Sequence, residues 1–135
     1  MRSIFLLSAA AALVGCSTAV SPPGPSAEAE ARFQRLVAGK VAGKPQSCLP
    51  HFRADNMVVI DDNRVAFDDG SRVYVNDFRG GTCSNLGSGF YTLVTRSGGS
   101  GMCAGDFANV VDISSGMTMG SCVLGDFVPY TGPRA

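Results

Sequence analysis

The chain contains no tryptophan, a single histidine (His51) and no excess of basic residues, since Lys and Arg together number 11 and Asp and Glu together also number 11. A near-neutral chain of this kind has no basic stripe for nucleic acid and no polybasic cluster for anionic lipid. Its N-terminal apolar run, residues 4–14, is too short to cross a bilayer. We therefore expect no nucleic-acid partner, and no motif in the chain calls for a cofactor.

The N-terminal segment has the pattern of a secretory signal: Arg2, a short apolar run, and small residues at its end. The closing tetrad Leu13-Val14-Gly15-Cys16 resembles the lipobox of bacterial lipoproteins. This resemblance implies that residues 1–15 are a signal peptide and that Cys16 carries lipid on its amine and its sulfur. In the lipoproteins that the chain resembles, an Asp after that cysteine argues for retention on the inner membrane, but Ser17 stands here. We expect an outer-membrane anchor facing the periplasm, with the membrane itself as one partner.

The remaining chain divides by composition. Residues 16–26 are a Pro- and Ser-rich flexible tether that cannot bury enough apolar surface to fold. Residues 27–39 are predicted as a short helix, with Ser26 as its N-cap and Gly39 at its end. Residues 40–131 form the expected disulfide-stabilised β domain, followed by a tail at 132–135.

Four cysteines remain once Cys16 is assigned to the anchor, and an even number in an exported chain indicates two disulfides. Zinc ligands usually come in close Cys-x-x-Cys pairs, and Cys48, Cys83, Cys103 and Cys122 include none, so we expect no metal. A hairpin turning at Ser114-Ser115-Gly116 would place Cys122 opposite position 108, too far from Cys103 for those two to pair. Two connectivities remain: Cys48–Cys103 with Cys83–Cys122, which we favour, or Cys48–Cys122 with Cys83–Cys103.

Short β-branched runs and tight turns dominate from Cys48 onward. Six strands are predicted, with Asp69-Gly70 as a hairpin turn, and in the strand that follows it Val73 and Val75 face one side while Tyr74 faces the other. The fold class is mainly β, a small antiparallel meander curled into a barrel or sandwich with one short N-terminal helix.

The placement of Cys48 and Cys103, together with the closing Gly125-Asp126-Phe127-Val128-Pro129-Tyr130, resembles a family of small four-cysteine bacterial envelope proteins of unknown function. The family members are often lipoproteins. The resemblance covers about residues 40–131 and implies the cysteine-framed β domain. It brings no activity and no catalytic residues.

Aromatic residues carry the binding hypothesis, because exposed rings or an open strand edge can hold a partner. A domain without tryptophan needs most of its phenylalanines in the core, so we assign most of Phe90, Phe107 and Phe127 there. The candidate binding residues are the three tyrosines, Tyr74, Tyr91 and Tyr130.

Catalytic and metal-binding alternatives have weaker support in the sequence. His51 is more typical of a loop residue than of a general base, and no nucleophile motif frames Ser88 or Ser100. Two acidic pairs, Asp61-Asp62 and Asp68-Asp69, lack the spacing of a calcium loop and fit turn chemistry. We predict a noncatalytic binding or structural domain that contacts an envelope protein. The alternative is a small hydrolase or a protease inhibitor presenting residues 79–88.

Overall fold

The computed structural model describes residues 24–80, 83–96, 99 and 101–132. The predicted signal peptide, Cys16 and most of the tether lie outside the described residues, as does most of the predicted tail. Within the described residues the chain is mainly β, with antiparallel sheets and a single α-helix at the start. This confirms the fold class at that level.

Helix α1 (Ala27–Val37) begins where its sequence signals place it. The Ser26 hydroxyl accepts a hydrogen bond from the Ala29 backbone N–H at 3.1 Å, which satisfies one of the unpaired donors of the first turn. The helix is two residues shorter than predicted, because the chain leaves helical geometry at Ala38 and Gly39 adopts a φ of +68°.

Ten strands follow the helix in the part of the chain that the structure describes. They are β1 (Val41–Ala42), β2 (Cys48–Leu49), β3 (Met57–Val59), β4 (Arg64–Asp68), β5 (Arg72–Asp77), β6 (Tyr91–Thr95), β7 (Met102–Cys103), β8 (Phe107–Asp112), β9 (Thr118–Val123) and β10 (Phe127–Thr131). They form a five-stranded sheet in the order β1-β10-β5-β4-β3, a three-stranded sheet in the order β6-β8-β9, and the pair β2-β7. The described strands do not close into a barrel.

The five-stranded sheet is buried on both faces, which its central strand β5 shows directly. Val73 and Val75 belong to a cluster under α1, whereas Tyr74 belongs to the larger cluster on the other side. The predicted alternation along this strand is therefore confirmed. The larger cluster also takes buried side chains from β6, β8 and β9, so the two larger sheets share one core.

Two arginines fix α1 on the sheet. Arg32 donates from Nη1 to the carbonyl oxygens of Val59 at 3.0 Å and Ile60 at 3.2 Å. The guanidinium of Arg64 lies 4.9 Å from the centre of the Phe33 ring, within the range of a cation–π contact. These contacts hold the start of the helix beside the turn that follows β3, and so fix where the chain enters the domain.

The disulfides join Cys48 to Cys103 and Cys83 to Cys122, which confirms the favoured connectivity and excludes the other. Strands β2 and β7 pair so that Cys48 lies directly opposite Cys103. Cys122 lies opposite Ala108, the register predicted from the hairpin. Each bridge links parts of the chain that are distant in sequence, at separations of 55 and 39 residues.

Candidate functional site

The three predicted binding tyrosines do not share a surface. Tyr74 is 3% exposed, so its prediction as part of an exposed patch is wrong: its strand lies between two buried clusters and has no solvent-facing side there. Tyr130 is half-buried under the helix, with its ring edge-on to Phe33 at a centroid distance of 5.8 Å. Tyr91 is half-buried against the larger core.

The exposed apolar surface lies instead on the three-stranded sheet. The residues of this sheet that face the core are Leu93, Ala108, Val110 and Cys122. The positions that alternate with them along each strand therefore face outward. We call these positions the outer face, and none of them is charged: Thr92, Val94, Phe107, Asn109, Val111, Ser121 and Val123. Phe107 is 69% exposed and is the largest side chain of this face.

Strand β9 forms one edge of this sheet and carries no charged residue. Among the described residues, Arg79 bridges Val123 and Cys83 is disulfide-bonded to Cys122, so the C-terminal part of this edge is covered. Its register with β8 shifts between Val110 and Val111, which leaves Met119 without a partner in the ladder. Edge strands in soluble proteins are commonly protected by lysine or proline, and β9 has neither. The outer face and strand β9 carry no charged residue, and Arg79 borders them beside Val123.

A second apolar feature lies at the end of the same sheet, where the β8–β9 hairpin turns beside the start of β6. Phe90, Ile113 and Met117 are 72%, 65% and 64% exposed, and we call this group the apolar tip. The Ile113 backbone N–H donates to the Phe90 carbonyl oxygen at 3.1 Å, which joins the two loops. A shallow cavity of about 410 Å³ lies here, bordered also by Tyr91.

The one carboxylate at the apolar tip, that of Asp112, is held by its own turn. The Ser114 hydroxyl donates to Oδ1 at 2.6 Å, and the backbone N–H groups of Ser114 and Ser115 donate to the same oxygen at 2.8 Å each. The hydrogen bond from the Ser114 hydroxyl has the largest effect on the pKa of Asp112, and together these bonds lower it to about 2. The Asp112 carboxylate therefore stabilises the turn at residues 112–115.

His51, the candidate base, lies exposed in a short 3₁₀ turn, His51–Arg53, beside a cavity of about 220 Å³. Its Nε2 is 2.8 Å from the carbonyl oxygen of Gly99. Because a carbonyl oxygen can only accept, Nε2 is the donor of this hydrogen bond. Ser88 donates instead to the Asn85 carbonyl, and Ser100 lies outside the described residues.

The acidic pairs make the turn hydrogen bonds that the sequence predicted. Asp61 accepts from the backbone N–H of Asn63, and Asp68 accepts from that of Gly70. Asp62 accepts from the backbone N–H groups of Asn85 and Gly87 at 3.1 and 2.7 Å. The last pair of contacts ties the loop after Cys83 to the turn beside the helix start. Among the described residues, no group of three or more His, Cys, Asp or Glu side chains is placed to hold a metal ion.

Sequence reasoning missed the residues of both apolar surfaces. It assigned most phenylalanines to the core, which holds for Phe127 but is wrong for Phe90 and Phe107. Strand parity was the available signal, since Phe107 is out of phase with Ala108 and Val110, which face the core. No local pattern predicts that Phe90 is exposed, because this depends on how its loop packs beside the β8–β9 hairpin.

The chain matches no family model, no curated protein and no solved structure. Within the part of the chain that the structure describes, no helix has the length and apolar character needed to cross a membrane. Fold and site together define a class: a small antiparallel β domain with two disulfides and an uncharged, partly apolar outer surface.

Proposed function

We propose that this protein is a noncatalytic binding domain, held by a lipid on Cys16 at the periplasmic face of the outer membrane, which binds an extended segment of an envelope protein. The observation that carries the proposal is the uncharged outer face next to the edge strand β9, whose first residues pair with β8 alone among the described strands. The lipobox-like tetrad supports the anchor, and two disulfides fit an oxidising compartment.

An antiparallel sheet that faces water on one side usually carries polar and charged residues there. The outer face of β6, β8 and β9 has polar residues but no charged one, and its apolar residues Val94 and Phe107 are exposed. An added strand from a partner would satisfy backbone groups at the β9 edge and bring its side chains beside this face. The partner segment should be extended, mainly apolar and free of proline at the paired positions.

The five-stranded and three-stranded sheets would form a sandwich, which their shared core of Phe67, Phe127, Leu93 and Val110 supports. The chain would belong with the small four-cysteine envelope proteins that it resembles.

Photo-crosslinking in intact cells tests the binding surface. A photoreactive amino acid at position 107 or 121 should give the same partner adduct, because both positions lie on the outer face. The matched control places it at Arg35, which is exposed on the helix on the other side of the five-stranded sheet. We expect adducts from the outer face at least tenfold above that control, and their loss when Val94→Asp adds a charge to the face.

Equal labelling from position 35, or no reproducible adduct from either outer-face position, would contradict this function. An adduct with the mass of two copies of this chain would also contradict it, because it would assign the β9 edge to self-association. A fold check by circular dichroism accompanies each variant, so that loss of an adduct reflects the surface and not unfolding.

A further inference from the structure

We infer that the apolar tip, formed by Phe90, Ile113 and Met117, inserts into the lipid surface that carries the anchor, so that the domain rests on the membrane in a fixed orientation. This inference depends on the lipid anchor of the proposed function. It concerns a surface separate from the outer face and assigns it a lipid partner.

The apolar tip lies at the end of the domain where the chain enters from the anchor. Gly24, the first described residue, borders a cavity of about 280 Å³ together with the start of α1, the turn at 60–63 and Gly87. Phe90 follows Gly87 by three residues, so the two lie within about 11 Å along the chain. Asp62 accepts hydrogen bonds from the backbone N–H groups of Asn85 and Gly87. These bonds hold the loop that leads to Phe90 beside the turn at 60–63.

The length of the connecting segment limits how far this end can be from the lipid. Eight residue steps separate Cys16 from Gly24, which span at most about 28 Å when fully extended. A tether of this length keeps the end of the domain from which it leaves within about 28 Å of the lipid. The apolar tip, at that same end, is therefore within reach of the bilayer.

The chemistry of the tip fits the interface of a neutral bilayer. Phenylalanine, isoleucine and methionine gain free energy by leaving water, and membrane binding of such a surface increases with its apolar area. The tip includes no Lys or Arg, and its one carboxylate, Asp112, is engaged by its own turn. Insertion should therefore depend little on anionic lipid or on salt.

The absence of tryptophan makes a direct test possible, since a single Phe90→Trp substitution introduces the only indole of the chain. The acylated protein carrying this substitution is reconstituted in phosphatidylcholine vesicles, and its fluorescence is measured with and without brominated acyl chains as quenchers. The matched control is Phe107→Trp, since Phe107 is almost equally exposed but starts β8, about 17 Å along the strand from Asp112.

We expect the Phe90→Trp protein to shift to shorter emission wavelength in vesicles and to be quenched at least threefold more strongly than the Phe107→Trp protein. Equal quenching of both, or quenching of neither, in a sample whose mass shows acylation would overturn the inference and leave the anchor standing. A mass that shows no lipid on Cys16 would instead overturn the proposed anchor, and the inference with it.

Discussion

Replacing Cys83 and Cys122 together with alanine is expected to lower the free energy of unfolding by about 4 kcal/mol. The bridge closes a loop of 39 residues, and removing it returns that conformational freedom to the unfolded chain. Both cysteines are buried in the larger core, so their replacement also removes packed sulfur atoms. Urea denaturation followed by far-ultraviolet circular dichroism measures the loss.

The matched control for this prediction is the second disulfide. Cys48→Ala with Cys103→Ala opens a loop of 55 residues, but Cys48 is exposed and its bridge joins strands that also pair directly. We expect a loss that is smaller than that of the first pair by about 1 kcal/mol, because the buried packing is less disturbed. A larger loss from the Cys48–Cys103 pair would show that the β2–β7 connection, and not the core bridge, is the main covalent support.

The second large effect is expected from Phe127→Ala, which should cost about 3 to 5 kcal/mol. Phe127 is fully buried in β10, and its ring lies 6.0 Å from that of Phe67 in the core shared by the two sheets. Its backbone N–H and C=O also bond to Gln46, both at 2.9 Å, so the strand around it is held on two sides and cannot collapse into the cavity. The midpoint of urea denaturation should fall accordingly.

Phe107→Ala is the control for this substitution, because it removes the same side chain from an exposed site. We expect it to change the free energy of unfolding by no more than about 0.5 kcal/mol. Similar losses from Phe107→Ala and Phe127→Ala would contradict the assignment of Phe107 to a solvent-facing surface. Together the two variants separate the core phenylalanine from the solvent-exposed phenylalanine.

The sequence predicted those parts of the fold that depend on local patterns. Ser26 as a helix cap and the alternation around Tyr74 both follow from the residue types of a few adjacent positions. The hairpin register that places Cys122 opposite Ala108 follows from a turn and a strand period. The choice between the two disulfide connectivities required the pairing of β2 with β7, which joins residues 55 positions apart.

The candidate site was predicted less well, because exposure in a two-sided sheet is a tertiary property. Alternation shows that Tyr74 faces away from Val73, but it does not show that both faces of β5 are covered. The apolar tip could not be predicted for the same reason, because Phe90 and Ile113 lie in loops that are distant in sequence and adjacent in the fold. A sequence period identifies the two faces of a strand, and only the packing of the sheets determines which face meets water.

The central claim, an exported domain anchored by lipid and closed by two disulfides, is tested most directly by intact mass spectrometry of the protein recovered from cell membranes. The claim predicts a chain that begins at Cys16, carries added acyl mass, and gains the mass of four hydrogens on reduction. A full-length, unacylated chain whose mass does not change with reductant would contradict it.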